Sequence, residues 1–187
     1  MRFFLLLCLT PLLGAADPQF NKAGELVRPA GDYREWIYLT TGLGMNYSSE
    51  NTAANPPFDN VFVTPEAYRV FKATGHWPDH AMFIIEPHQA MTKGSINKAG
   101  HYQGERLPFI EVAVKDTKRF ADGWGYFSLK DSANSAKAFG PEGHCNECHG
   151  KNAAVENTFV QFYPTLLPVA KAKGTLRESY TKAVEGH

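Results

Sequence analysis

The run Gly143-His144-Cys145-Asn146-Glu147-Cys148-His149-Gly150 constrains this chain more than any other segment. Two cysteines three residues apart share one face of a helical turn, so both thiols can address one edge of a porphyrin. A histidine directly after the second cysteine completes the C-x-x-C-H signature of covalent c-type haem attachment. Cys145 and Cys148 would bond the two vinyl groups as thioethers, and His149 would swing beneath the ring as the proximal iron ligand. A haem inserted in this way against a sheet is itself part of the core.

Three other readings use the same residues. A disulfide between Cys145 and Cys148 suits an oxidising compartment. A thioredoxin-like site would set the motif early in the domain, between the strand and helix of a βαβ unit, and no such unit is found here. A zinc site could draw on His144, Cys145, Cys148 and His149. Its ligands would come as sequence neighbours, whose side chains diverge by about 100° on a helix. Tetrahedral convergence from such pairs is hard to build, and the spacing favours haem.

The N-terminus sets the compartment. Met1-Arg2 carries one positive charge, Phe3 to Leu13 is almost unbroken apolar sequence, and Gly14-Ala15-Ala16 offers small residues before Asp17. This is the three-part pattern of a secretory signal peptide, and the run is too short to span a bilayer core of roughly 30 Å. Cleavage after Ala16 is expected, which removes Cys8 and leaves 17–187 as a single exported or periplasmic haem domain. No later stretch is apolar enough to anchor it, so no membrane span is expected after cleavage. The chain of 187 residues carries 19 Lys plus Arg against 19 Asp plus Glu. With no basic excess or polybasic run, nucleic-acid binding is not expected. Its 13% aromatic content supplies buriable surface that disordered chains lack.

The remaining pattern is that of an α+β domain. Residues 32–40 suit a first strand. Gly42, Gly44 and Asn51 to Pro57 predict a long surface loop, and Val61-Phe62-Val63 a short strand. Thr64-Pro65-Glu66 announce a helix with Ala67, Val70 and Phe71 on its apolar face and Gly75 as its cap. Strands follow at Ala81–Glu86, Phe109–Lys115 and Trp124–Leu129. In the second of these, Ile110, Val112 and Val114 alternate with Glu111, Ala113 and Lys115, which predicts one buried and one solvated face. Hairpin-length connections imply an antiparallel β-sheet. The cysteine motif then falls in a helical segment, and a last helix is expected over Leu166 to Lys173.

Three further segments carry a family resemblance: Tyr33-Arg34-Glu35-Trp36, Lys115-Asp116-Thr117-Lys118-Arg119-Phe120, and Cys145 to His149 followed by Phe159-Val160-Gln161-Phe162-Tyr163-Pro164. In order and spacing, over residues 20–172, the chain resembles the cytochrome P-460 family, which includes cytochrome c′-beta. The resemblance implies an antiparallel sheet with flanking helices, one covalent haem c, a proximal histidine and, usually, a homodimer in the bacterial periplasm. It also implies an open sixth position on the iron.

Two kinds of distal pocket occur in that family. The P-460 enzymes carry a lysine cross-linked to the haem and a distal carboxylate, and they oxidise hydroxylamine. The c′-beta members lack the cross-link, cover the iron with phenylalanine and bind gases such as NO. The cross-linking position matches Ile85 here, and no lysine occurs between Lys72 and Lys93. The expectation is therefore a binder of NO or a similar small ligand, with Phe83, Ile85, Phe62, Phe127 and Phe139 as candidates for the haem pocket. The alternatives are hydroxylamine oxidation, with no catalytic residue assigned, and plain electron transfer to a redox partner protein. Glu86, Glu111 and Glu142 are candidates for a distal carboxylate, and Arg34 for a propionate partner. Met45, Met82, Met91, His76, His80, His88 and His101 are the candidate sixth ligands, any one of which would make an electron carrier.

Overall fold

The computed structural model describes residues 17–45 and 56–185. The expected signal peptide over 1–16 lies outside them, as does most of the loop expected between Asn51 and Pro57. The described chain begins with a two-residue strand, β1 (Leu26–Val27), and a single 3-10 turn at Tyr33–Glu35. The strand expected over 32–40 starts later: β2 spans Ile37–Leu43. Asp32 is the reason, because its carboxylate accepts the Arg34 main-chain N–H at 2.9 Å and closes a turn before pairing begins. Gly42, expected in a loop, lies inside β2.

Strand β3 (Phe58–Val63) returns antiparallel to β2 and leads into helix α1 (Pro65–Thr74). Pro65 opens the helix, where its missing N–H is no loss. Gly75 ends it in the left-handed region at φ 79°, its N–H bonded to the Phe71 carbonyl. Strand β4 (Met82–Met91) runs five residues beyond the expected Glu86, straight through Pro87. Proline is tolerated there because the neighbouring strand changes at that point. The last register pair with β6 (Phe109–Lys115) is Ile85–Glu111, and the first with β5 (Tyr102–Arg106) is His88–Arg106. A ladder donor is dispensable at the junction. Strand β7 (Trp124–Lys130) completes the sheet, and β8 (Ser135–Ala136) pairs with β1.

Among the described residues the main sheet has six strands, in the order β2-β3-β4-β6-β7 with β5 beside β4, and every pair is antiparallel. The fold is thus α+β, with an antiparallel sheet and flanking helices. Three helices follow the sheet: α2 (Cys145–Asn152), α3 (Leu167–Lys173) and α4 (Glu178–Glu185). None of the described helices is long and apolar enough to cross a membrane.

Side-chain alternation sorts the core into two layers. On one face Met82, Ile84, Ile110, Val112, Val114, Phe127 and Leu129 pack with Leu26 from β1 and with Tyr33 and Trp36. Gly125 belongs to this face, where a Cβ would collide with the Phe120 ring. On the other face Phe83, Trp124 and Tyr126 pack with Phe71 of α1, Trp77, and the segment from Val155 to Ala170. The second layer contains an opening, and the cysteine motif borders it.

Candidate functional site

Helix α2 is fixed to the sheet by its own motif residues. A 3-10 turn at Pro141–Gly143 precedes it, and His144 at φ 52° redirects the chain into the first helical turn. The Asn146 side chain donates to Asp122 Oδ2 at 2.6 Å and to the Trp124 carbonyl at 3.1 Å, tying the helix to the start of β7. Cys145 and Cys148 are partly exposed free thiols. Burial pushes the Cys145 thiol above the usual range, and the charge of Glu111 adds to the rise. His144 turns outward to Glu147 at 3.1 Å. Among the described residues, no three His, Cys, Asp or Glu side chains are grouped so as to hold a metal ion, and the zinc arrangement is not built.

His149 is held by two aromatic rings and a carbonyl. Its ring packs at a tilt against Tyr126 and Phe159, with centroids 4.3 and 4.5 Å away. Nδ1 faces the Asn157 carbonyl at 2.8 Å. A carbonyl only accepts, so Nδ1 carries the hydrogen and Nε2 keeps its lone pair. That Nε2 has no hydrogen-bond partner among the described residues. Burial lowers the pKa of the ring from its ordinary value, the bond to Asn157 opposing the shift in part. The result is a neutral, oriented imidazole, the form that ligates metals.

His149 and Cys145 border a cavity of about 350 Å³ between the sheet and the C-terminal segments. Register explains its wall. Val63, Phe83, Ala113 and Tyr126 form one row across β3, β4, β6 and β7, and Thr40, Val61, Ile85 and Glu111 form the next across β2, β3, β4 and β6. Phe159, Phe162 and Tyr163 close the opposite side, and half-exposed Phe139 and Met45 stand at the rim. The donor set fits the covalent haem that the C-x-x-C-H spacing implies: two free thiols at i and i+3, an imidazole with one nitrogen tied off, and a largely apolar wall.

The structure places Phe83, Ile85 and Phe139 on this wall. Phe127 touches the cavity, but its ring packs on the far face, 6.2 Å from Phe20 and 6.1 Å from Phe120. Phe62 does not line the cavity. Val61 points in, so Phe62 must point out, where it meets Tyr33 and Tyr38 at 5.9 Å each. The same alternation removes Glu86, which is 3% exposed on the far face. There it accepts from Tyr33, from Arg34 at 2.6 Å and from His88 at 2.8 Å, so Arg34 is engaged away from the cavity. Glu142 sits on the exposed turn before α2. Lys72 lies on α1 with its ammonium 5.6 Å from the Tyr68 ring. Of the candidate sixth ligands only Met45 lines the cavity, and Met82 is core on the other face.

Two acids do reach the wall. The face of β6 expected to be solvated is the cavity face, and it carries Glu111. Asp59 of β3, not singled out in the sequence, joins it. Burial pushes both carboxyls above the usual range, and the charge of Asp59 raises Glu111 further. No lysine or arginine stands among the described lining residues to offset them. The signal was available: Asp59-x-Val61-x-Val63 has the period of a strand, which sets Asp59 on the face of Val61.

The sequence model of the cytochrome P460 family matches residues 30–160. No curated protein matches the chain.

Proposed function

The chain belongs to the cytochrome P460 family, and on that premise we propose that it is an exported mono-haem c-type cytochrome whose open iron position binds NO or a similar small ligand. Family membership makes it a haem cytochrome. The observation that carries the finer reading is the state of His149: Nδ1 is committed to Asn157, and Nε2 has no hydrogen-bond partner among the described residues, at the border of a largely apolar cavity beside Cys145. When bound, the haem supplies an iron centre that coordinates a small ligand and changes oxidation state. Cys145 and Cys148 would hold the ring through thioethers, and His149 would ligate the iron. Phe83, Ile85 and Val61 line the cavity with side chains that carry no metal-ligating atom. Met45, 51% exposed at the rim, is poorly restrained for service as a sixth ligand. NO is neutral and needs no charged partner. Export rests on the leader-like segment 1–16, a homodimer rests on the family resemblance, and a redox partner protein belongs to the electron-transfer alternative.

A second reading, oxidation of hydroxylamine, draws support from Asp59 and Glu111. Removing protons from a bound N–H ligand needs a base, and carboxyls of raised pKa in the wall are suited to accept them. Ile85 offers no nitrogen for a cross-link to the ring.

An absorption spectrum of the reduced protein with and without NO tests the proposal. The expected result is a five-coordinate high-spin spectrum that NO alters. A low-spin spectrum abolished by Met45→Ala would support electron transfer instead. Sustained hydroxylamine turnover, lost in Glu111→Gln, would support the enzyme.

A further inference from the structure

The carbonyl that orients His149 sits in a tight turn from Val155 to Thr158, closed by the Thr158 N–H on the Val155 carbonyl at 2.9 Å. Glu156, at the corner, has φ 50°, a left-handed conformation that a non-glycine residue rarely adopts. Such a conformation persists only where the surroundings over-determine it. Here they do. The Lys115 ammonium reaches Glu156 Oε2 at 2.8 Å and also donates to the Trp77 carbonyl at 2.7 Å. The other carboxylate oxygen accepts the Trp77 main-chain N–H at 3.4 Å and faces His76 Nδ1 at 3.3 Å. On the far side of Asn157, the buried indole N–H of Trp77 donates to the Thr158 hydroxyl at 2.8 Å. Trp77 therefore grips the residues on both sides of Asn157, and the Lys115–Glu156 pair locks one of those grips to the end of β6.

We infer that Glu156, through its ion pair with Lys115, is a positioning residue that fixes the Asn157 carbonyl against His149 and so sets the electron-donating strength of the proximal ligand. The inference rests on the haem reading above. A firm Nδ1–H···O=C bond makes the imidazole a stronger donor, which favours ferric over ferrous iron. Loosening the turn weakens that bond, so the reduction potential rises. If the ion pair were merely structural, its loss would lower stability and leave the potential of the folded protein where it was.

The test is an optical redox titration of the haem-loaded protein at one pH, in wild type, Glu156→Gly, Lys115→Met and Lys115→Arg. Glycine accepts φ 50° without strain, so Glu156→Gly removes the carboxylate and leaves the turn possible. The expected result is a raised midpoint potential in Glu156→Gly and Lys115→Met, with Lys115→Arg near wild type because it keeps the cation. Should Glu156→Gly fail to fold, Glu156→Gln, which keeps the shape and loses the charge, is read by the same criterion. Variants that hold covalent haem at the wild-type potential overturn the positioning role alone. A wild-type protein with no covalent haem overturns the haem reading on which it rests.

Discussion

Phe83 joins the core to the cavity, and its removal tests the two-faced sheet. The residue is 4% exposed; its ring meets Trp77 edge-on at 4.7 Å and lies 5.9 Å from Trp124 and 6.4 Å from Tyr163. Truncating a buried phenylalanine to alanine costs about 3–5 kcal/mol. One side of this ring borders a cavity in place of packed atoms, so fewer contacts are lost and the cost falls near about 3 kcal/mol. For a chain of this length that lowers the thermal midpoint by about 6–12 °C. Ile84, the next residue and fully buried, points to the opposite face. Ile84→Ala should cost about 2–5 kcal/mol as well, yet leave the haem absorption bands in place, whereas Phe83→Ala shifts them. Urea unfolding followed by tryptophan fluorescence, with the absorption spectrum taken on the same samples, reads both quantities. A Phe83→Ala cost below about 1 kcal/mol, or equal spectral shifts in the two variants, refutes the assignment of faces.

Four other outcomes follow from the same geometry. Partial desolvation in the cavity wall raises the Glu111 carboxyl, so its contribution to stability is complete below the unfolded value of about 4.3 and is lost as pH rises through the folded pKa. Glu111→Gln should therefore gain on wild type as pH increases, which urea midpoints of the haem-free chain between about pH 4 and 8 will register. Met45→Ala should leave the reduced spectrum unchanged, since the thioether stands exposed at the cavity rim. Glu86→Ala strips the shared acceptor from Tyr33, Arg34 and His88 and should cost about 2–4 kcal/mol in urea unfolding. Arg34→Ala, at a side chain 50% exposed, should cost about 1 kcal/mol or less.

Local signals made much of the fold legible. Phe109–Lys115 emerges with its expected bounds because a period of two is strong there, and Pro65 and Gly75 bracket α1 because each carries its own backbone preference. What failed was everything decided by a neighbour. The start of β2 yields to a side-chain bond from Asp32, and β4 passes through Pro87 because the adjoining strand changes there. At the candidate site, the spacing of Cys145, Cys148 and His149 picked out the helix that borders the cavity. The wall was only partly readable, because alternation says which residues share a face and not whether that face meets solvent or a cavity. Glu111 is solvent-exposed, as its place in the alternation predicts, and it also lines the cavity, whereas Phe62 turns away from it. Asp59 needed β3 to be longer than Val61-Phe62-Val63 suggested.

The central claim is covalent attachment at Cys145 and Cys148 with His149 on the iron. It is tested most directly by the mass of the exported, purified protein after acid–acetone extraction. The account predicts a chain beginning at Asp17 that keeps the mass of one haem, with retention weakened in Cys145→Ser and Cys148→Ser and the thioethers surviving in His149→Ala. Haem that extracts freely from the wild-type chain, or a purified protein that carries zinc in its place, would contradict it.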